Sequence, residues 1–471
     1  MDSKDVDKTI SNWIDTIKHY SKPVHKQINP KNIVYYTSCD LSWIKDKSYC
    51  NSSLAERLSW ILSLRRWKGN YCNNGIVINH ISMNADSSLC DYKSIKQRLL
   101  LLFNYWNVIE YYYCLKQNNL NWDNILKEYL PLFVCSEERE IIPLFRSLSS
   151  HLHDSHGITI IANDSIPSFI PLNARMEDTL LVAIGETEEY IPNNSIIMAI
   201  DGREPKVLLK EYRDSLHSNY STEAALLSSF ISDGLRSNKD SCAIIFSYPG
   251  IVDSVTIPTL FPYEYRDWYI TNRTARIPDI DLFDGICYIN AGAYKRANCD
   301  FYYQKIQQAE TVVFDMRFYP ENSLMPFIYK FFMPQKGQFA QLIIPRWEEP
   351  GSIRVVKAKY KQSKTYYSGK IVVVVDENTK SQGEYITMAL QANPNTITVG
   401  TATSGSDGNM AFVDLPGGIR AYYTGMGVIY PDGTPTQRVG VKVDYYLKKS
   451  TVDSIYYEPK KLVQYVKSII N

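Results

Sequence analysis

Residues 369–409, GKIVVVVDENTKSQGEYITMALQANPNTITVGTATSGSDGN, constrain the fold more than any other part of the chain. Ile371 to Val375 are five consecutive β-branched residues. The run is too short to span a membrane and suits a strand buried on both faces. A polar turn over 376–380 follows. Tyr385, Met388, Ala389 and Ala392 then recur at the spacing of one helix face. Ser381 therefore falls at a strand-to-helix junction, where two readings are open. As a helix N-cap, its hydroxyl accepts a backbone N–H of the first turn. As a nucleophile, it has the helix's free N–H groups and positive dipole end beside it to hold an oxyanion.

The chain's 471 residues suffice for about three domains of ~150 residues. A 45% apolar and 21% charged composition is that of a globular protein, and a net charge of +1 gives no sign of a nucleic-acid or anionic-membrane partner. The 36 tyrosines suit a peptide- or glycan-facing surface. Nine cysteines form no CxxC pair and no Cys/His cluster with zinc spacing, so no metal site is predicted. Cys39, Cys50, Cys72 and Cys90 either pair or stay as buried thiols. No apolar run reaches the ~18 residues of a transmembrane helix. The polar start MDSKDVDKTI is not a signal peptide, and reads as a cytoplasmic start or as a chain whose signal has been removed.

Residues 1–95 form a mixed segment with a strand at 76–81 and no evident chemistry. Over 96–170, Leu99, Leu102, Phe103, Trp106, Ile109 and Tyr113 recur at helical spacing, and Ile125, Tyr129, Leu130 and Phe133 continue it. This helical bundle ends in His151-Leu152-His153-Asp154-Ser155-His156-Gly157, where Asp154 or Ser155 can cap and Gly157 stops the helix. A histidine on such a loop is either a general base near neutral pH or an exposed partner of the helix dipole. Residues 171–262 read as short strands with a helix over 223–235 and a tight hairpin turn at Asp201-Gly202. Such a β-rich unit suits peptide binding. Residues 263–471 alternate strands (285–290, 311–315, 371–375, 396–399) with helices and close on an amphipathic helix over 460–470, which argues for an α/β or mixed sheet.

In order, these stretches resemble the serine peptidases of the C-terminal processing (tail-specific) and tricorn-core protease family. The resemblance rests on FNYWNVIEYYYC and NWDNILKEYLP within 103–131, then on Asp154-Ser155-His156-Gly157 and SIIMAIDGREP at 195–205. It continues through ICYIN at 286–290, VVFDMRFYP at 312–320, Ser381-Gln382-Gly383-Glu384, GTATSGSDGN at 400–409 and YPDGTPTQRVGVKVD at 430–444. It implies a crotonase-like α/β protease core, mixed α+β overall, with an N-terminal helical segment and an inserted PDZ-like β-rich domain.

By that resemblance Ser381 is the nucleophile and His156 the general base of the tricorn-like branch, with Ser155 in the same network. The Gln382 N–H and a second N–H from Tyr319 or Glu321 would hold the oxyanion. Three positions depart from the family pattern. Ser406 stands where the Ser/Lys branch has its lysine, which excludes that dyad, and Lys380 is not a substitute. Gln437 replaces the orienting glutamate, leaving Gln437 or Asp407 as the third partner. Tyr319-Pro320-Glu321 replaces the usual glycines, and Pro320 has no N–H. Asp315 and Arg317 read as an ion pair shaping the turn. The expected function is a serine endopeptidase acting on peptides or proteins, with no cofactor, working in the periplasm or cell envelope or else in the cytoplasm. The alternative, motivated by the same departures, is a catalytically impaired peptide- or protein-binding module.

Overall fold

The computed structural model describes residues 3–16, 34–37, 42–46, 50–63, 72–74, 79–82, 91–116, 121–161, 168–177, 179–184, 191–215, 220–274, 277–320, 322–346, 351–449, 451 and 455–470. Cys39, Cys90, Glu321 and the first part of the expected 76–81 strand lie outside the described residues; Asn79–Ser82 is a strand. Cys50 is a free, buried thiol.

The run Ile371–Val375 lies in the strand Lys370–Val375, near the middle of a six-stranded sheet. Its neighbours Thr311–Asp315 and Thr396–Gly400 pair with it in parallel, and Ile286–Asn290 pairs in parallel with Thr311–Asp315. The alternation of a strand divides the run between two cores. Ile371, Val373 and Val375 pack with Phe327, Phe331, Ile386 and Leu390 from the crossover helices Met325–Phe331 and Gln382–Gln391. Val372 and Val374 pack on the other face with Leu462, Val463 and Val466 of the closing helix Pro459–Ile470. All five are fully buried. At roughly 1.5–3 kcal/mol per side chain, they contribute on the order of 10 kcal/mol of gross driving force. Because the strands are parallel, Asn290, Asp315, Val375 and Gly400 end on one edge, where an open α/β sheet places its site.

A second sheet, of eight strands, carries the long strand Ile419–Ile429. Three helices, Ile95–Tyr112, Trp122–Cys135 and Ile141–Ser150, pack on its Ala411, Val413, Ile419 and Tyr423 face. The hairpin Gly337–Pro345 with Ser352–Tyr360 extends this sheet and has no counterpart in the sequence expectations. Arg438 staples the bundle to the core by donating to the carbonyls of Leu152 (2.7 Å) and His153 (3.1 Å) and to the Tyr113 hydroxyl (2.9 Å).

Between bundle and core lies a five-stranded antiparallel sheet, ordered Ile251–Pro258, Ser241–Tyr248, Ile196–Ile200, Leu180–Ala183, Ala174–Glu177. The Asp201-Gly202 turn has both φ values positive, +49° and +77°, as expected of a tight turn. It feeds the helix Pro205–Ser215 rather than a return strand, because Pro205 is favourable in a first helical turn. The expected helix at 223–235 divides into an α-helix, Glu223–Ser229, and a π-helical turn, Phe230–Gly234. Among the described residues no helix is long and apolar enough to cross a membrane.

Candidate active site

Ser381 sits at the sheet's carboxyl edge with φ +48° and ψ −117°, a backbone conformation that a residue with a Cβ rarely adopts. It occupies the N-cap position of Gln382–Gln391, yet its side chain makes no capping hydrogen bond. Instead Ser381 Oγ donates to the Gly408 carbonyl at 3.2 Å. The capping reading therefore fails for the hydroxyl. The Gln382 N–H, one residue on, has no acceptor among the described residues, while the next, Gly383 N–H, turns back to the Lys380 carbonyl at 2.8 Å. A strained serine with a free N–H at a helix start is the arrangement that aims a hydroxyl outward beside an oxyanion donor.

Glu384, three residues into the motif, is fully buried and ties this helix to the 403–406 loop. Thr403 Oγ1 (2.6 Å), the Gly405 N–H (2.8 Å) and the Ser406 N–H (2.9 Å) all donate to it. Burial nonetheless raises its carboxyl to about 7, against these donors and the Ser381 N–H.

His156 arrives from the other sheet. The strand Thr159–Ile161 pairs antiparallel with Ile419–Ala421, and the Tyr422 N–H donates to the Ile158 carbonyl at 2.8 Å. Ahead of that strand the chain turns, with the Gly157 N–H on the Asp154 carbonyl (2.7 Å), and His156 Nδ1 lies 2.8 Å from Thr424 Oγ1. Thr424 in turn donates its hydroxyl to Asp154 Oδ1 (2.7 Å) and its N–H to Asp154 Oδ2 (2.7 Å). The His156 N–H also donates to Asp154, at 3.0 Å. His156 is buried rather than an exposed dipole partner, and burial holds its imidazole below the ordinary range. Asp154 opposes that shift and Lys380 adds to it.

Gly408 joins the two halves. Its carbonyl holds Ser381 Oγ, and a Cβ placed on it at φ +112° would lie 3.1 Å from Thr424 Cγ2 and 2.1 Å from the Met426 carbonyl oxygen. Gly408→Ala is accordingly expected to displace the Thr424 strand from the Ser381 loop, cutting activity at least ~10²-fold and costing about 1–3 kcal/mol. Activity assays with parallel thermal melts check this. Ser381 and His156 share no hydrogen bond here; their present partners are the Gly408 carbonyl and the Thr424 hydroxyl.

The other expected residues are placed as follows. Ser155 faces away from His156, donating to Ser221 Oγ (2.8 Å) and accepting the Ser221 N–H (2.9 Å). Gln437 Nε2 donates to Asp154 Oδ1 (3.3 Å) and weakly to Thr424 Oγ1 (3.5 Å), not to the imidazole. Asp407 accepts the Gly408 N–H at 2.7 Å and makes no hydrogen bond to His156. Burial and the nearby Glu384 push its carboxyl far up. Tyr319 stands at the turn after the core strand, whose Pro320 carbonyl accepts Gln382 Nε2 at 2.9 Å. Asp315 and Arg317 form a fully buried two-point ion pair (2.7 and 2.8 Å) that also takes the Tyr288 hydroxyl, so they shape the turn. The acid beside His156 is Asp154, which the sequence marked only as a possible cap. Thr424 lay in no motif, and only the strand register reveals it.

Residues 286–447 match the sequence profile of peptidase family S41. The match includes Ser381, Glu384, Asp407, Thr424 and Gln437, and begins after His156. No curated protein gives a sequence match. Among solved structures, mature CPAF aligns with a TM-score of 0.58 at 13% identity, covering 79% of this chain and 96% of that one. Mature CPAF complexed with lactacystin aligns with a TM-score of 0.56 at 12% identity, covering 80% and 98%. At such identities the likeness shows a shared α/β fold.

Proposed function

The chain is a serine peptidase of family S41, and on that premise we propose that Ser381 is its nucleophile and His156 its general base, in a serine endopeptidase. The observation that carries this reading is the uncapped, positive-φ Ser381 beside a Gln382 N–H that has no acceptor among the described residues. Catalysis needs Ser381 Oγ to leave the Gly408 carbonyl and hydrogen-bond to His156 Nε2. As the Oγ–C bond forms, Nε2 takes the Oγ proton, and the Gln382 N–H receives the carbonyl oxygen as it becomes an oxyanion. The proton passes to the leaving amine as the C–N bond breaks. Water then hydrolyses the acyl-enzyme by the same route in reverse. Tyr319 is the proposed site of the second oxyanion donor.

The inserted β-rich unit is proposed to be PDZ-like and to take an extended peptide by strand addition, with Ile251–Pro258 as an available edge strand. A site of action outside the cytoplasm is proposed from the family resemblance alone.

A fluorophosphonate probe tests the assignment. It is expected to label the native chain on the peptide carrying Ser381, and to label neither Ser381→Ala nor His156→Ala. A native chain that takes up no probe favours the binding-module alternative. The pH profile adds a second check. The base works when neutral, so activity is present above its folded pKa and lost as pH falls through it. Because that pKa is lowered, the acid limb of kcat/KM is expected below the ordinary imidazole value of about 6.5. A limb at or above about 6.5 would contradict a buried His156 as the group that titrates.

A further inference from the structure

We propose that Asp154 and Thr424 are the positioning pair of this site, fixing His156 as the tautomer with its proton on Nδ1 and its Nε2 bare. This rests on the Ser381–His156 reading above and assigns what sequence comparison left open, the partner that orients the base.

A threonine hydroxyl has one proton. Thr424 Oγ1 is 2.7 Å from Asp154 Oδ1 and 2.8 Å from His156 Nδ1. A carboxylate can only accept, and Asp154 already accepts the Thr424 and His156 N–H groups, so the hydroxyl proton points to Asp154. Thr424 Oγ1 is then an acceptor toward the ring, and Nδ1 must carry the ring proton to make that contact. Nε2 is left as the acceptor, the state required to take a proton from Ser381. When Nε2 gains that proton, the imidazolium faces the acid through Thr424, and Nε2 later surrenders it to the leaving amine. Asp154 is fully buried, and its two oxygens are held by two backbone N–H groups, so the acceptor cannot swing away.

Gln437 does not fill this role. Its Nε2 reaches Asp154 and Thr424, and its Oε1 is buried with no hydrogen-bond partner among the described residues. A neutral amide at the place of the family's glutamate is thus accommodated by an acid on the histidine's own loop, relayed through one hydroxyl.

The test is Thr424→Val, which keeps the shape and the backbone N–H to Asp154 and removes only the hydroxyl. The expected result is a kcat lowered about 10²–10⁴-fold with KM within about threefold. Thr424→Ser should restore most of it. In ¹⁵N-labelled native protein, the His156 resonances should show protonated Nδ1 and bare Nε2, and Thr424→Val should lose that preference. Asp154→Asn, which offers a donor where the relay needs an acceptor, should lower kcat similarly where it folds. A Thr424→Val enzyme with native kcat and an unchanged His156 tautomer would overturn the proposal. If Ser381→Ala keeps hydrolysing peptide, the failure belongs to the underlying Ser381 assignment, whatever the Thr424 variants do.

Discussion

Replacing Ser381 by alanine is expected to lower kcat/KM on an unstructured protein substrate about 10⁴–10⁶-fold, the range seen when a nucleophile is removed from such a set. Stability should barely change, because the hydroxyl caps nothing and makes one hydrogen bond, to the Gly408 carbonyl. A surface or capping serine would show the reverse, with little loss of activity and about 1 kcal/mol of lost stability. Ser381→Gly sharpens the contrast. At φ +48°, glycine relieves strain that a Cβ imposes, so that variant should be inactive yet melt no lower than the native chain. Substrate turnover and thermal melts on the same preparations separate the two cases.

The largest effect on stability should come from Arg317→Met. Asp315 and Arg317 have no exposed side-chain surface, and the guanidinium also lies 4.6 Å from the Tyr456 ring centroid. Removing the cation leaves a buried carboxylate uncompensated, at a cost of about 3–5 kcal/mol. Adding Asp315→Asn to Arg317→Met should recover part of that loss, because it removes the stranded charge. Denaturant unfolding of the single and double variants checks both statements. The pair matters to the site through its loop: the Met316 carbonyl, between the two residues, accepts Thr379 Oγ1 at 3.0 Å, just ahead of Ser381. Activity should therefore fall with stability in Arg317→Met, unlike in Ser381→Ala.

What the sequence revealed and what it hid follow the range of the interactions involved. Ile371 to Val375 declared a strand buried on both faces because two-sided burial leaves no room for polar alternation, and the structure divides the run between two cores. Ser381 was legible as a strand-to-helix junction, since both flanking patterns are local. The hairpin Gly337–Pro345 with Ser352–Tyr360 was missed because Ser352–Tyr360 is half-exposed along its length and interleaves lysine and arginine with valine. Asp154 was visible only as a local cap, and its main work is done 270 residues away, on Thr424. Ser155 was placed in the His156 network by the family resemblance, but the two are the central residues of a turn closed by the Gly157 N–H on the Asp154 carbonyl, and Ser155 bonds Ser221 instead. No spacing rule reports the register of Thr159–Ile161 on Ile419–Ala421, yet that pairing brings the chain of His156 beside Thr424.

In the proposed mechanism one serine and one histidine, carried by two different sheets, meet over a peptide carbonyl. A crystal structure of the chain with a peptide boronate bound tests it most directly. The expected result is a bond from Ser381 Oγ to boron, one boronate oxygen on the Gln382 N–H, and His156 Nε2 within about 3 Å of the adduct. A boronate bonded elsewhere, or a Ser381 adduct with His156 Nε2 still out of hydrogen-bond reach, would contradict it.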